Sequence, residues 1–184
     1  MKRIILIAAF ALLAAGVTAQ TTMSRKEARA ARKQQQEAVD LVQHEKALQA
    51  LKDSSFVLKA DRVIFKRGRM AFVSSNTNFV SRYGNRATVQ VAFDFAGPGP
   101  NGLGGITVEG MVSGVSVKTD KKGFTYYKMS VMGVGISASV DITLYPDSNR
   151  ASVTVYPNYS SNTVTLEGVL EPAAQARVFK GSSL

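Results

Sequence analysis

The chain contains no cysteine. Disulfides, thiolate metal sites and thiol nucleophiles are therefore excluded. It has a single histidine, His44. One imidazole with no cysteine beside it gives little basis for a metal site or a nucleophilic triad. After the first 19 residues no stretch is apolar enough to span a bilayer as a helix, so a later transmembrane anchor is not expected. Acidic residues are also in the minority: 13 Asp and Glu stand against 23 Lys and Arg, a formal net charge of +10. That sign favours acidic partners, and it also keeps a small domain dispersed in solution.

What the chain does have begins with an export signal. Lys2 and Arg3 supply a positive start, Ile4 to Val17 is an uncharged apolar run, and Val17-Thr18-Ala19 offers compact residues at a cleavage site. This is the tripartite pattern of a secretory signal peptide over residues 1–19. An apolar run of about 14 residues falls short of the roughly 20 that a spanning helix needs. With no cysteine to carry a lipid, cleavage releases a chain starting at Gln20 into the periplasm or beyond. Loss of Lys2 and Arg3 lowers the charge from +10 to about +8, and export makes nucleic acid an unexpected partner.

Residues 20–52 read as a helical arm. Ser24-Arg25-Lys26-Glu27 fits a capping box, and no Gly or Pro follows before Lys52. Arg25 to Gln36 lacks any large apolar residue and predicts a solvated helix. Leu41, Leu48 and Leu51, flanked by Ala38, Val42 and Ala47, form a narrow stripe that predicts docking on the rest of the chain. His44 lies at the rim of that stripe.

From residue 53 the hydrophobic period shifts toward 2, the signature of strands. Val134, Ile136, Ala138, Val140, Ile142 and Leu144 alternate with mostly polar residues. Ala87, Val89, Val91, Phe93 and Phe95 form a second inward set, Tyr127, Met129 and Val131 a third, Ala151, Val153 and Val155 a fourth, and Val164, Leu166 and Gly168 a fifth. Asp120 to Gly123 and Pro146 to Asn149 read as hairpin turns, and Pro157 to Asn162 as a longer connection. Strands joined this tightly are antiparallel. Parity breaks between Ala60 and Val63, and again between Val112 and Val115 near Gly110 and Gly114. Each break predicts a bulge, and bulges curl a sheet. The expected fold is mainly β (α+β): one N-terminal helix, then a curved antiparallel sheet, half-barrel or barrel of about eight strands over residues 53–172. Residues 173–184 carry no strand period and read as a loose tail.

Several motifs dissolve on inspection. Gly97-Pro98-Gly99-Pro100-Asn101-Gly102 matches G-x-G-x-x-G, but it leads into a strand rather than a helix, and its prolines remove N–H donors. Ser74 to Thr77 recurs as Ser160 to Thr163, and both copies are residues that turns use. Asn158-Tyr159-Ser160 satisfies the glycosylation pattern with nothing else to support it. Asp94, Glu109, Asp141 and Glu167 fall on separate strands and cannot be paired across one bond by spacing. No catalytic residue, cofactor or metal ligand is assigned, and the chain is not expected to be an enzyme. The one candidate contact surface is basic: Lys59, Arg62, Lys66, Arg67 and Arg69, with Arg82 and Arg86 following.

The strand half resembles the exported bacterial proteins grouped as domain of unknown function 4251. The resemblance rests on Ser75 to Val80, Asn85 to Val91, Gly102 to Gly110, Asp120 to Gly123, Val134 to Tyr145 and Leu166 to Gly168, and it covers about Asp53 to Pro172. It implies export and a single domain, and it brings no reaction and no functional residues. The resulting expectation is an uncharacterised envelope protein, periplasmic or secreted. It would bind a lipid-like or other apolar ligand on its curved sheet, or serve as a module contacting a protein or an anionic surface of the envelope. N-terminal sequencing of the protein recovered from expressing cells is expected to begin at Gln20; recovery of Met1 would overturn the signal-peptide assignment.

Overall fold

The computed structural model describes residues 25–92, 103 and 105–183. Residues 1–19, expected to be a signal peptide, Ser24, and residues 93–102, with Phe93, Asp94, Phe95 and the Gly97–Gly102 motif, lie outside the described residues. The chain divides into two compact units, 1–36 and 37–184. In the first, Arg25 to Gln36 is helical and exposed except for half-buried Ala28, as expected of a segment with no large apolar residue.

Helix α1 (Arg25–Lys52) continues into the second unit and is followed by β1 (Ser55–Phe65), β2 (Met70–Phe72), β3 (Phe79–Tyr83), β4 (Arg86–Ala92), β5 (Gly105–Thr119), β6 (Thr125–Gly133), β7 (Ile136–Leu144), β8 (Arg150–Pro157) and β9 (Val164–Pro172). Every pairing is antiparallel. The strands follow the order β2-β1-β3-β4-β5-β6-β7-β8-β9, and β1 also pairs with β9. That last pairing closes an eight-stranded barrel, with β2 as a short addition on the upper edge of β1. The half-barrel reading is therefore corrected. Nothing local marks β1 as the partner of β9, because the two strands lie at opposite ends of the domain sequence.

Both parity breaks are bulges. The register of β1 against β9 shifts between Ala60 and Arg62, which brings Val63 back to the interior behind Phe56, Leu58 and Ala60. The register of β5 against β6 shifts between Ser113 and Ser116, where Gly114 takes a positive φ of 61°. The inward sets read from the period meet in one buried cluster that runs from Phe56 through Tyr127, Ile142 and Leu144 to Leu166 and Leu170. Val134 is the exception: it lies in the β6–β7 turn and is 75% exposed.

One end of the barrel is covered by the last turns of α1, where Ala47, Ala50 and Leu51 are buried and Leu48 is partly so. The docking stripe is shorter than its sequence pattern, since Leu41 and Val42 are each 50% exposed. His44 Nδ1–H donates to the Ser148 carbonyl in the β7–β8 turn at 2.8 Å, a rim contact that fixes the helix to that end.

Residues 173–183, expected to be loose, are tied down over the outer face of β1, β3 and β4. Ala173, Ala176 and Val178 pack on Val57 and Phe79. Phe179 N donates to the Asn76 carbonyl at 2.8 Å. The sequence period misses this segment because it joins no ladder and docks through a few side chains and a polar hub on β4.

The closing seam tolerates no added bulk. A Cβ at Gly168 would lie 1.8 Å from the Lys59 carbonyl oxygen on β1. Gly168→Ala is expected to destabilise the protein by about 3 kcal/mol or more, since overpacking against a backbone cannot relax through a rotamer. Urea denaturation measures this, and an unchanged midpoint would show that the seam yields easily.

Candidate functional site

The five basic residues singled out from the sequence separate into two groups. Lys59 and Arg62 point outward from β1 and are neutralised by β9. Lys59 Nζ lies 3.0 Å from Glu171, and Arg62 pairs with Glu167. With the Arg150–Asp61 pair they form a row of ion pairs along the outside of the closing seam. The Asp61 carboxylate raises the pKa of Arg150 by accepting its hydrogen bonds. These charges belong to the barrel's construction.

Lys66, Arg67 and Arg69 are different. They occupy the β1–β2 hairpin, which turns tightly: Gly68 N and Phe65 N donate to the Phe65 and Arg69 carbonyls, each at 2.8 Å, and Gly68 has a φ of 77°. All three side chains are exposed and, among the described residues, have no acidic partner. Phe65 pairs in register with Val164 at the start of β9, so the hairpin stands beside the β8–β9 loop. Between them lies an open groove of about 510 Å³, lined by Lys66, Arg67 and Arg69 on one side and Ser161, Asn162 and Thr163 on the other. Phe65 and Val164 also line it. The loop is shaped by its own turn bonds, with Asn162 N donating to Ser160 Oγ at 3.2 Å and Thr163 N to the Ser161 carbonyl at 3.1 Å. Three exposed cations facing hydroxyl and amide groups over an apolar floor can hold an anion.

Arg82 and Arg86 do not join this surface. Arg86 lies at the start of β4, by the opposite end. Arg82 turns inward from β3 and is 8% exposed. Its Nε donates to the Gly84 carbonyl at 2.7 Å, its Nη1 donates to Tyr127 Oη, and the guanidinium carbon lies 5.8 Å from the Tyr127 ring centroid. Burial lowers its pKa from the ordinary value. Tyr127 in turn meets Phe56 edge-on at 5.5 Å. A buried arginine held by an aromatic ring has no sequence signature beyond an inward parity on β3.

The carboxylates that could have formed a hydrolytic pair stand apart. Asp141 pairs with Lys128 at 2.9 Å and Glu167 with Arg62, while Glu109 accepts from Lys180 at 2.7 Å and Thr88 at 3.0 Å. Among the described residues, no three His, Asp or Glu side chains gather as metal ligands. No described helix is long and apolar enough to cross a membrane.

The geometry now has a family context. A model described as Domain of unknown function (DUF4251) matches residues 38–170. The chain belongs to this family. A crystal structure of a DUF4251 family protein from Bacteroides eggerthii DSM 20697 is similar to it at 49% sequence identity, covering 80% of this chain and 99% of that chain with a TM-score of 0.67. No curated protein matches the chain. The matched span begins within α1 and ends in β9, so this DUF4251 domain includes all of the barrel but the last two residues of β9, and both sides of the groove.

A second polar cluster sits under the tail of this DUF4251 domain. Gln90 on β4 is fully buried. Its Nε2 donates to the Thr77 and Phe179 carbonyls at 2.9 and 2.8 Å, and its Oε1 accepts from Thr107 Oγ1 and Gly181 N at 2.7 and 2.8 Å. All four hydrogen-bonding positions of the amide are used, so the cluster clamps the tail and leaves no donor for a ligand. Lys180 adds the pair to Glu109. Its hydrogen bond holds the Glu109 carboxyl below the usual carboxylate range. The stabilisation from this pair is present above that range and is lost as pH falls through the depressed value. Gln90→Ala is expected to free the tail. Limited trypsin digestion, read by mass spectrometry, should then cut faster after Arg177 and Lys180 while the barrel stays intact; equal cleavage in both proteins would show that the tail is held by its apolar contacts alone.

Proposed function

We propose that this DUF4251 protein is exported to the periplasm or beyond, and that it is a non-enzymatic binding module of the bacterial envelope that contacts an anionic partner at the groove between the β1–β2 hairpin and the β8–β9 loop. One observation carries the reading: Lys66, Arg67 and Arg69 line an open groove with no acidic side chain among the described residues paired to them, while Lys59 and Arg62, earlier on the same strand, are neutralised. Holding three cations together without counter-charges costs self-repulsion, which an anionic partner relieves. The lack of a catalytic role is supported by the use of His44 at the opposite end and by the separate pairing of Glu109, Asp141 and Glu167.

The other reading, a lipid-like ligand inside the curved sheet, has less support. An eight-stranded barrel is wide enough either to be filled by its own side chains or to hold one small ligand. Here Phe56, Leu58, Tyr127, Met129, Ile142, Leu144, Leu166 and Leu170 are all buried in one cluster. The described residues offer open spaces at the mouth and, beside the tail, against Asn76, Tyr83 and Phe179.

Calorimetric titration with inorganic phosphate and with heparin oligosaccharides at low salt tests the groove. Arg67→Ala with Arg69→Ala is expected to weaken binding about tenfold or more, the scale of losing charge-assisted contacts. Lys59→Ala with Arg62→Ala is expected to leave it unchanged. The reverse pattern would move the site to the barrel wall and overturn the assignment.

A further inference from the structure

The described loops at the two ends of the barrel differ in charge. Loops at one end include the β1–β2 hairpin (66–69), the β6–β7 turn (134–135) and the β8–β9 loop (158–163). These three described loops carry Lys66, Arg67 and Arg69 and not one Asp or Glu. The connections at the other end, residues 53–54, 120–124 and 145–149, carry Asp53, Asp120 and Asp147 beside Lys121 and Lys122, so their charges nearly cancel. The cationic end also displays large apolar side chains at its tips. Tyr159 is 92% exposed and Val134 is 75% exposed. Met70, beside the hairpin, is exposed as well.

We propose that this end docks on an anionic lipid bilayer, an inference that rests on the anion-binding reading above and names its partner. A soluble polyanion would need only the charge. Exposed apolar and aromatic tips on the same loops add what an interface of headgroups and acyl chains rewards: tyrosine places its ring among the headgroups, and an aliphatic tip buries its side chain at the acyl boundary. The guanidinium and ammonium groups meet lipid phosphates, and Ser161, Asn162 and Thr163 stand beside them as hydrogen-bonding groups. Cations and apolar tips on the same described loops turn this end to the bilayer, so that Ala47, Ala50 and Leu51, docked at the other end, face away from the membrane.

The test is vesicle co-sedimentation with phosphatidylcholine alone and with phosphatidylcholine mixed with phosphatidylglycerol, run beside heparin titration. The protein is used without residues 1–19, so that the apolar leader cannot bind lipid; the solved relative, which spans 80% of this chain, shows that a chain of this reduced extent folds. Binding is expected to the mixed vesicles and not to the neutral ones, and to fade as salt rises. Each cation near an anionic surface contributes about fivefold, so Arg67→Ala with Arg69→Ala is expected to weaken vesicle binding about 25-fold. Val134→Ser with Tyr159→Ser is expected to weaken vesicle binding about tenfold and to leave heparin binding unchanged. Heparin binding without vesicle binding would overturn the membrane inference and keep the anion reading. Loss of both would overturn both. Vesicle binding indifferent to Val134 and Tyr159 would overturn the insertion of the tips.

Discussion

Strand β1 is paired along both of its edges. β9 runs the length of one, from Phe56↔Pro172 to Phe65↔Val164, while β3 and then β2 share the other. Few strands in the molecule have so many demands on them. The bulge at Asp61 returns Val63 to the interior, Gly168 lets the backbones of β9 and β1 approach, and three ion pairs line the outside. Such half-exposed pairs contribute little stability each; their position on one seam makes them a guide to register. The inner face of the same seam, Leu58, Ala60, Val63, Leu166 and Leu170, belongs to the main core. A chain without disulfides has no other staple, so the closure of the barrel and the burial of its core are one event.

The same seam sets the groove. The β1–β2 hairpin and the β8–β9 loop are distant in sequence and are brought side by side only because Phe65 pairs with Val164. Lys66, Arg67 and Arg69, which have no acidic partner among the described residues, and the Ser-Asn-Thr segment therefore face each other as a consequence of closure. Lys59 and Arg62 lie on the same strand but below the rim, where β9 offers Glu171 and Glu167. Within one stretch of β1, charge changes from structural to available at the point where the ladder ends.

Much of this was legible in the residues. Period-2 alternation marked the inward faces of β4, β6, β7, β8 and β9, turn chemistry marked Asp120–Gly123 and Pro146–Asn149, and both parity breaks became bulges. What could not be read was non-local. Closure depends on which strand meets β1, and a free edge has no local signature. Leu41 carries the helical stripe but is left exposed, because the barrel end extends only as far as the last turns of α1. Gln90 has the parity of an outward polar residue, yet it is fully buried by a tail that returns from residues 179–181. The basic cluster was visible as composition, while its division into paired and unpaired members required the position of β9.

The order in which the chain is made gives the β1–β9 pairing a further meaning. β1 is the first strand of the barrel and β9 the last, so the ring cannot shut until every other strand of the barrel has been made. Contacts of such long sequence separation place the fold among the slower topologies, because loop entropy is lost before the pairing rewards it. Until β9 arrives, β1 presents an unpaired edge of eleven residues to any other chain nearby, and an open edge of that length is a template for intermolecular pairing. The last strand of the barrel thus acts as a checkpoint: a polypeptide cut short or stalled before β9 stays open, and one that includes β9 seals itself.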